Sequence, residues 1–262
     1  MVQFEITNRC NLKCPMCPRE TLGWKDSMNH DIDLEQFEQI VAGLPDSVDR
    51  VIFAGMGETL LTRGAPDYIA AAARKTKCTL ITNVTPLGDN MIRDVLDAGL
   101  DQIIFSVDAP TKAEFEIQRP GANFESVQTK VEKTVALVRD EYPDINLRVN
   151  MVVTDMNYHL ASDMVDWCAE RGLYVLEFLY NSEPGAPLPV NYMDDLQAWR
   201  NGLNAKGQSL DMHISFGGGN TGESQVEPGI LCNRPWTDMF ICHEGQVSPC
   251  CIHETEDKDG VG

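Results

Sequence analysis

Along its first 180 residues the chain alternates, six times over, a short β-rich run with a segment of helical apolar spacing. The runs fall at 2–7, 50–54, 78–82, 102–107, 145–153 and 174–179. Between them, Leu34, Phe37, Ile40, Val41 and Leu44 share one helix face, with Asp33 and Gln36 as a capping box. An Ala-rich segment begins at Pro66, Met91–Ala98 ends at Gly99, Phe124–Val138 forms the longest stripe, and Leu160–Cys168 stops at Gly172. Strict alternation predicts parallel strands joined by right-handed crossovers. The apolar runs predict a sheet covered by helices. A (β/α) barrel, open or closed, and a doubly wound sheet both satisfy this pattern, and periodicity does not separate them. Either architecture places its chemistry in the loops that follow the strands.

Beyond residue 180 the texture changes. Residues 182–189 (SEPGAPLP) read as a connection, 192–205 as one more helix, and 216–226 (FGGGNTGESQV) as a loop. A boundary near 181 divides a core, 1–181, from a small Cys-bearing region, 182–262. Within the latter, residues 240–242 and 246–247 flank Glu244-Gly245, a hairpin signal. The hairpin is expected to bring Cys232 and Cys250 together.

The chain has 262 residues, 43% of them hydrophobic, and carries a net charge of -19. A nonspecific nucleic-acid binder or a ligand of anionic membranes needs the opposite sign. The apolar run Tyr68–Ala73 is far too short to span a bilayer. Residues 1–6 lack the basic and apolar regions of a signal peptide, so the expected location is the cytoplasm.

Six of the nine cysteines lie in two tight groups. Cys10, Cys14 and Cys17 are spaced C-x3-C-x2-C just after the first strand. Three thiolates there suit a structural zinc, which wants a fourth ligand, or three of the four corners of a 4Fe–4S cluster, which would leave one iron open. They are otherwise unrelated thiols. Cys78, Cys168 and Cys242 stand in apolar surroundings and read as core.

The C-x3-C-x2-C loop resembles the signature of the radical S-adenosylmethionine (SAM) enzymes, with Met16 where that family usually has an aromatic residue. Gly55-Met56-Gly57-Glu58 resembles the Gly-Gly-Glu motif that receives the SAM amino group. Asn83 ends the third strand, similar to the family's Thr-Asn-Gly. Ser106 and Asp108 end the fourth, where ribose contacts lie, and Arg119 matches an Arg near the SAM carboxylate or ribose. The resemblance therefore implies a partial (β/α)6 TIM-like barrel. It also implies a SAM cluster on Cys10, Cys14 and Cys17, and SAM contacts from Met16, Gly57, Glu58, Asn83, Ser106, Asp108 and Arg119. Read without it, residues 55–58 are a tight turn, and Ser106, Asp108 and Arg119 supply helix caps and a surface ion pair.

The second group, Cys232, Cys250 and Cys251, sits in Cys-x-x-Pro-Trp and Gly-x-Val-x-Pro-Cys-Cys. This resembles the opening of the SPASM and twitch extensions that carry auxiliary 4Fe–4S clusters. Zinc, with His243 or His253 as fourth ligand, is the other reading. The further cysteines of a full SPASM domain do not follow Cys251, so the expectation is a chain cut within that extension. No protein side chain is expected to be catalytic in itself. The resemblance implies that SAM chelates the open iron, that an electron from the reduced cluster breaks its carbon–sulfur bond, and that the 5′-deoxyadenosyl radical takes a hydrogen atom from a peptide or small molecule. The electron would come from a flavodoxin or ferredoxin. The competing reading is a non-catalytic iron–sulfur electron carrier or a zinc-stabilised interaction protein.

Overall fold

The computed structural model describes residues 1–21, 30–180, 195–217 and 238–248. Its nine described strands are β1 (Val2–Phe4), β2 (Arg50–Phe53), β3 (Lys77–Thr82), β4 (Gln102–Ser106), β5 (Asn146–Val153), β6 (Val175–Tyr180), β7 (His213–Gly217), β8 (Met239–Ile241) and β9 (Val247–Ser248). They form one sheet in the order β7-β6-β5-β4-β3-β2-β1-β8-β9, parallel throughout except for the β8–β9 hairpin. From β1 to β7 the spatial order follows the chain order without a reversal. A doubly wound sheet needs a reversal, so the arrangement is the arc of a partial (β/α) barrel. The six expected strands are all present.

The described helices are α1 (Pro18–Thr21), α2 (Leu34–Gly43), α3 (Ala65–Ala73), α4 (Asp89–Asp97), α5 (Lys112–Gln118), α6 (Phe124–Glu141), α7 (Ala161–Glu170) and α8 (Leu196–Ser209). Their ends follow local chemistry. Asp33 accepts the amides of Glu35 and Gln36 at the start of α2, and Asn123 accepts that of Ser126 at the start of α6. Gly99 and Gly172 take the positive φ that ends α4 and α7.

The helices cover the outer face of the arc. Val51, Phe53, Leu80, Ile103, Phe105, Val149, Met151, Leu176 and Phe178 are sealed there against them. Phe37 of α2 packs on the rings of Phe4, Phe53 and Tyr68. Truncating so enclosed a ring to Ala costs about 3–5 kcal/mol. Side chains alternate along a strand, so the residues between these face the lumen, which is markedly more polar.

Three strands, β7, β8 and β9, extend the sheet beyond the six units. β7 pairs with β6, where the sequence suggested a loop from Phe216 onward. β8 pairs parallel with β1, in register Val2↔Met239 to Phe4↔Ile241. The hairpin about Gly245 (φ 81°) is present as expected. Cys232, Cys250 and Cys251 lie outside the described residues, and so does their expected approach. Among the described residues no helix is long and apolar enough to cross a membrane.

Candidate functional site

The cysteine loop follows β1 and is tied down before its first thiol. Arg9 donates to both carboxylate oxygens of Asp31, its Nε at 2.9 Å, and to the Leu61 carbonyl at 2.9 Å. The Arg9 carbonyl accepts the Glu58 amide at 2.7 Å. Farther on, Asn11 donates to Thr85 at 2.7 Å, the Lys13 amide to Pro120, and the Cys17 amide to the Cys14 carbonyl at 2.9 Å. The loop is thus fixed to the ends of β2 and β3 and to the turn after α5.

The loop after β2 fits against it with no room to spare. A Cβ on Gly57 would lie 2.1 Å from the Thr7 carbonyl oxygen, and one on Gly55 would overlap the Glu5 side chain at 2.3–2.5 Å. These glycines let two loops of the same chain touch. Glu58 is 3% exposed. Its Oε1 accepts from Thr82 Oγ1 at 2.8 Å and the Leu60 amide at 3.3 Å, and its Oε2 accepts the Asn83 amide at 2.7 Å. A carboxylate has about four acceptor positions, so one remains. Burial raises the Glu58 pKa, opposed by those hydrogen bonds and the charge of Arg119. Asn83 spans to the cysteine loop, its Nδ2 donating to Asn11 Oδ1 at 3.2 Å and lying 3.9 Å from the Cys10 sulfur. Val84 after it holds φ 71°, a strained conformation for a β-branched residue, with its side chain fully buried.

Beyond β4, Asp108 is fully buried and both its oxygens are committed. Oδ1 accepts the Val152 amide at 2.8 Å, and Oδ2 accepts Arg119 Nε at 2.6 Å. The ordinary reading of an Asp108–Arg119 ion pair therefore holds, except that the pair is buried rather than on the surface. Burial acts against the Arg119 charge, and Asp108 with the nearby Cys14 and Cys10 outweighs it, so the pKa is raised and the guanidinium persists. Asp108 positions Arg119, and it is Arg119 that reaches the cavity.

That cavity has a volume of about 380 Å³, within the range of small-ligand sites. Cys10, Cys14, Cys17 and Met16 line it together with Gly57, Glu58, Asn83, Ser106 and Arg119. Of the predicted site residues that are described, only Asp108 stands behind it. Burial pushes the Cys14 thiol up to about 12 and raises Cys10 and Cys17, with Arg119 working against burial at all three. Among the described residues no three His, Cys, Asp or Glu side chains close around a single ion, the three thiols included. The thiols share one wall of a cavity, which suits a cluster whose thiolates go to separate irons. Glu58 and Arg119, a buried anion and a buried cation, bound the same space and match the ammonium and carboxylate of an amino acid. These residues fit a cluster with a bound amino-acid-bearing cofactor.

The sequence model of the Radical SAM superfamily matches residues 4–168. The chain belongs to that superfamily. Membership implies an iron–sulfur cluster and the use of SAM, and the matched segment spans every residue of the cavity wall named above. This radical SAM chain is 27% identical over 181 residues to a probable GTP 3′,8-cyclase of Methanococcus maripaludis, covering 68% of the chain and 58% of the relative. It is 28% identical over 195 residues to a tungsten-containing aldehyde ferredoxin oxidoreductase cofactor-modifying protein of Pyrococcus furiosus, covering 72% and 53%. The chain thus spans little more than half the length of these curated relatives. Among solved structures it is similar to Streptococcus suis SuiB bound to S-adenosylmethionine, with TM-score 0.73 and 14% identity over 95% of this chain and 59% of that one. It is also similar to anSMEcpe with bound AdoMet, with TM-score 0.68 and 15% identity over 97% and 76%. Those likenesses establish the shared fold, a partial barrel with a C-terminal extension.

Sequence reading missed a polar row in the lumen. The register Ser106↔Asn150↔Glu177↔Ser215 runs across β4 to β7 at one level. Val152 and Leu179, one inward-facing position farther along β5 and β6, line the cavity beside Ser106, so the rest of the row lies below it. Arg148 pairs with Glu177 Oε2 at 3.1 Å. Asn150 Oδ1, Arg148 Nε and Ser215 Oγ are buried without a hydrogen-bond partner. The signal was available as polar residues at alternate positions of otherwise apolar strands.

Proposed function

We propose that this chain is the catalytic part of a radical SAM enzyme acting on a peptide or small molecule. When bound, a 4Fe–4S cluster on Cys10, Cys14 and Cys17 would supply the electron that cleaves SAM to a hydrogen-abstracting radical. The observation that carries the reading is one cavity bounded by the three thiols, Glu58 and Arg119. Glu58 offers its free acceptor position to the SAM ammonium, a charge-assisted bond in a dry site. Arg119, held by Asp108, faces the carboxylate. Met16 offers a polarizable surface to the adenine, and Asn83 and Ser106 offer hydrogen bonds to ribose. Leu12, Ile81, Val152 and Leu179 keep water from the reacting centre.

The lumen row bears on the substrate. The unpartnered acceptor Asn150 Oδ1 and donor Arg148 Nε favour a group that both accepts and donates hydrogen bonds, an amide or hydroxyl. An auxiliary 4Fe–4S cluster on Cys232 with Cys250 or Cys251, and a flavodoxin or ferredoxin as electron donor, complete the proposal. The SuiB structures include one bound to its precursor peptide SuiA, which supports the peptide alternative. Anaerobic reconstitution with iron and sulfide tests the reading. The expected product is a brown protein whose reduced EPR signal changes on adding SAM. Stoichiometric zinc with no iron uptake would overturn it.

A further inference from the structure

Glu5, one residue past β1, is 4% exposed and belongs to none of the roles above. Its amide continues the ladder to β8, donating to the Ile241 carbonyl at 2.9 Å. Its side chain joins two loops from opposite ends of the sequence. Oε2 accepts the Met56 amide, in the middle of Gly55-Met56-Gly57. Oε1 meets His243 Nδ1 at 2.7 Å, on the C-terminal hairpin. Gly55 is the counterpart of this packing, since any side chain there would occupy the space of Glu5. A buried carboxylate is tolerable only when its oxygens are satisfied. His243 satisfies one and thereby keeps the other available to Met56. The loop so held is the one whose next residues, Gly57 and Glu58, press on Thr7 and Arg9 and present the Glu58 carboxylate to the cavity.

We infer that Glu5 and His243 are positioning residues for SAM, and that the hydrogen-bonded series His243–Glu5–Met56 makes the C-terminal hairpin a working part of the SAM site. The inference rests on the reading of residues 55–58 as a SAM-binding loop. His243 does not line the cavity; besides Glu5 it meets the His30 ring, 5.8 Å between centroids, and of these two contacts the bond to Glu5 is the one that leads to the Met56 amide.

Two readouts test it. The first needs no cofactor: hydrogen exchange of the backbone amides of 54–58 in the purified chain. His243→Leu removes the donor and should speed exchange at Met56 by about tenfold or more. His243→Asn, which keeps an N–H at the δ position, should restore most of the protection. The second is SAM binding by equilibrium dialysis to the reconstituted protein. His243→Leu should weaken it about tenfold at unchanged iron and sulfide content, and His243→Asn should recover it. Equal exchange and affinity in wild type and His243→Leu would overturn the inference, as would equal damage in both variants, because then the hydrogen bond is not the cause. A folding defect in His243→Leu is read against Glu5→Ala, which removes the acceptor that joins His243 to Met56 and should show the same two losses in a folded chain. Wild type that reconstitutes yet binds no SAM would instead remove the functional reading, while the exchange result would still judge the Glu5 linkage.

Discussion

The two walls of the cavity are built by different means. On the β1–β3 side, Glu58 is held by main-chain amides and one hydroxyl, and the loops around it are locked by backbone contacts at Gly57, Thr7 and Arg9. On the β4–β5 side, Arg119 is held by a single buried ion pair with Asp108, itself fastened across the sheet to Val152. The first wall distributes its support over many small interactions, so single changes to that support, the thiols themselves aside, should trim function. The second concentrates its support in one pair, and removing either partner leaves a buried charge uncompensated. The first also comes from contiguous motifs, whereas the second depends on strand register.

The contrast can be broken by substitution. The largest effect is expected at the thiols: Cys14→Ala should abolish the iron–sulfur signal in the 1–181 region while the fold, followed by circular dichroism, survives. Asp108→Ala comes next. It strands the Arg119 charge in a site with almost no solvent and should cost about 3–5 kcal/mol in urea unfolding. If the loss were under 1 kcal/mol, the second wall would not rest on the pair. Gly57→Ala forces a Cβ into the Thr7 carbonyl and should cost about 1–3 kcal/mol, with reduced cluster yield because the cysteine loop must shift. Glu58→Gln is expected to be milder for stability, about 1–2 kcal/mol. It presents an amide to the Asn83 N–H and should weaken SAM binding with the cluster intact. Ser106→Ala should change stability by no more than about 0.5 kcal/mol, its effect confined to SAM affinity.

What the sequence made legible follows the same division. The cysteine loop, Gly55–Glu58 and Asn83 announce themselves as short motifs at strand ends, and the structure brings them to one cavity. The six strands were readable because parallel, helix-covered strands are runs of apolar residues. β8 was readable as half of a hairpin but not as the partner of β1. A three-residue strand has no period to read, and its neighbour is more than 230 residues away in the chain. β7 ends at Gly217, at the edge of a Gly-rich stretch, and this concealed it. Asn150, Glu177 and Ser215 are legible singly as polar residues in apolar strands, but that they form one inward row emerges only when register aligns three strands. The burial of the Asp108–Arg119 pair could not be read from spacing either, since eleven residues of separation say nothing about solvent. Cys78, Cys168 and Cys242 are core, as their apolar surroundings implied. The resemblance put Gly57 among the SAM contacts, and the structure shows Gly55 and Gly57 in close approach to Glu5 and Thr7.

The central claim is that this cavity holds SAM against an iron–sulfur cluster and breaks it by electron transfer. The direct measurement is chromatography with mass spectrometry of the products formed when the reconstituted protein is reduced with dithionite in the presence of SAM under strict anaerobiosis. The account predicts 5′-deoxyadenosine and methionine in equal amounts, formed slowly without substrate and absent in Cys14→Ala. A protein that carries a fully reducible cluster and leaves SAM intact would contradict it.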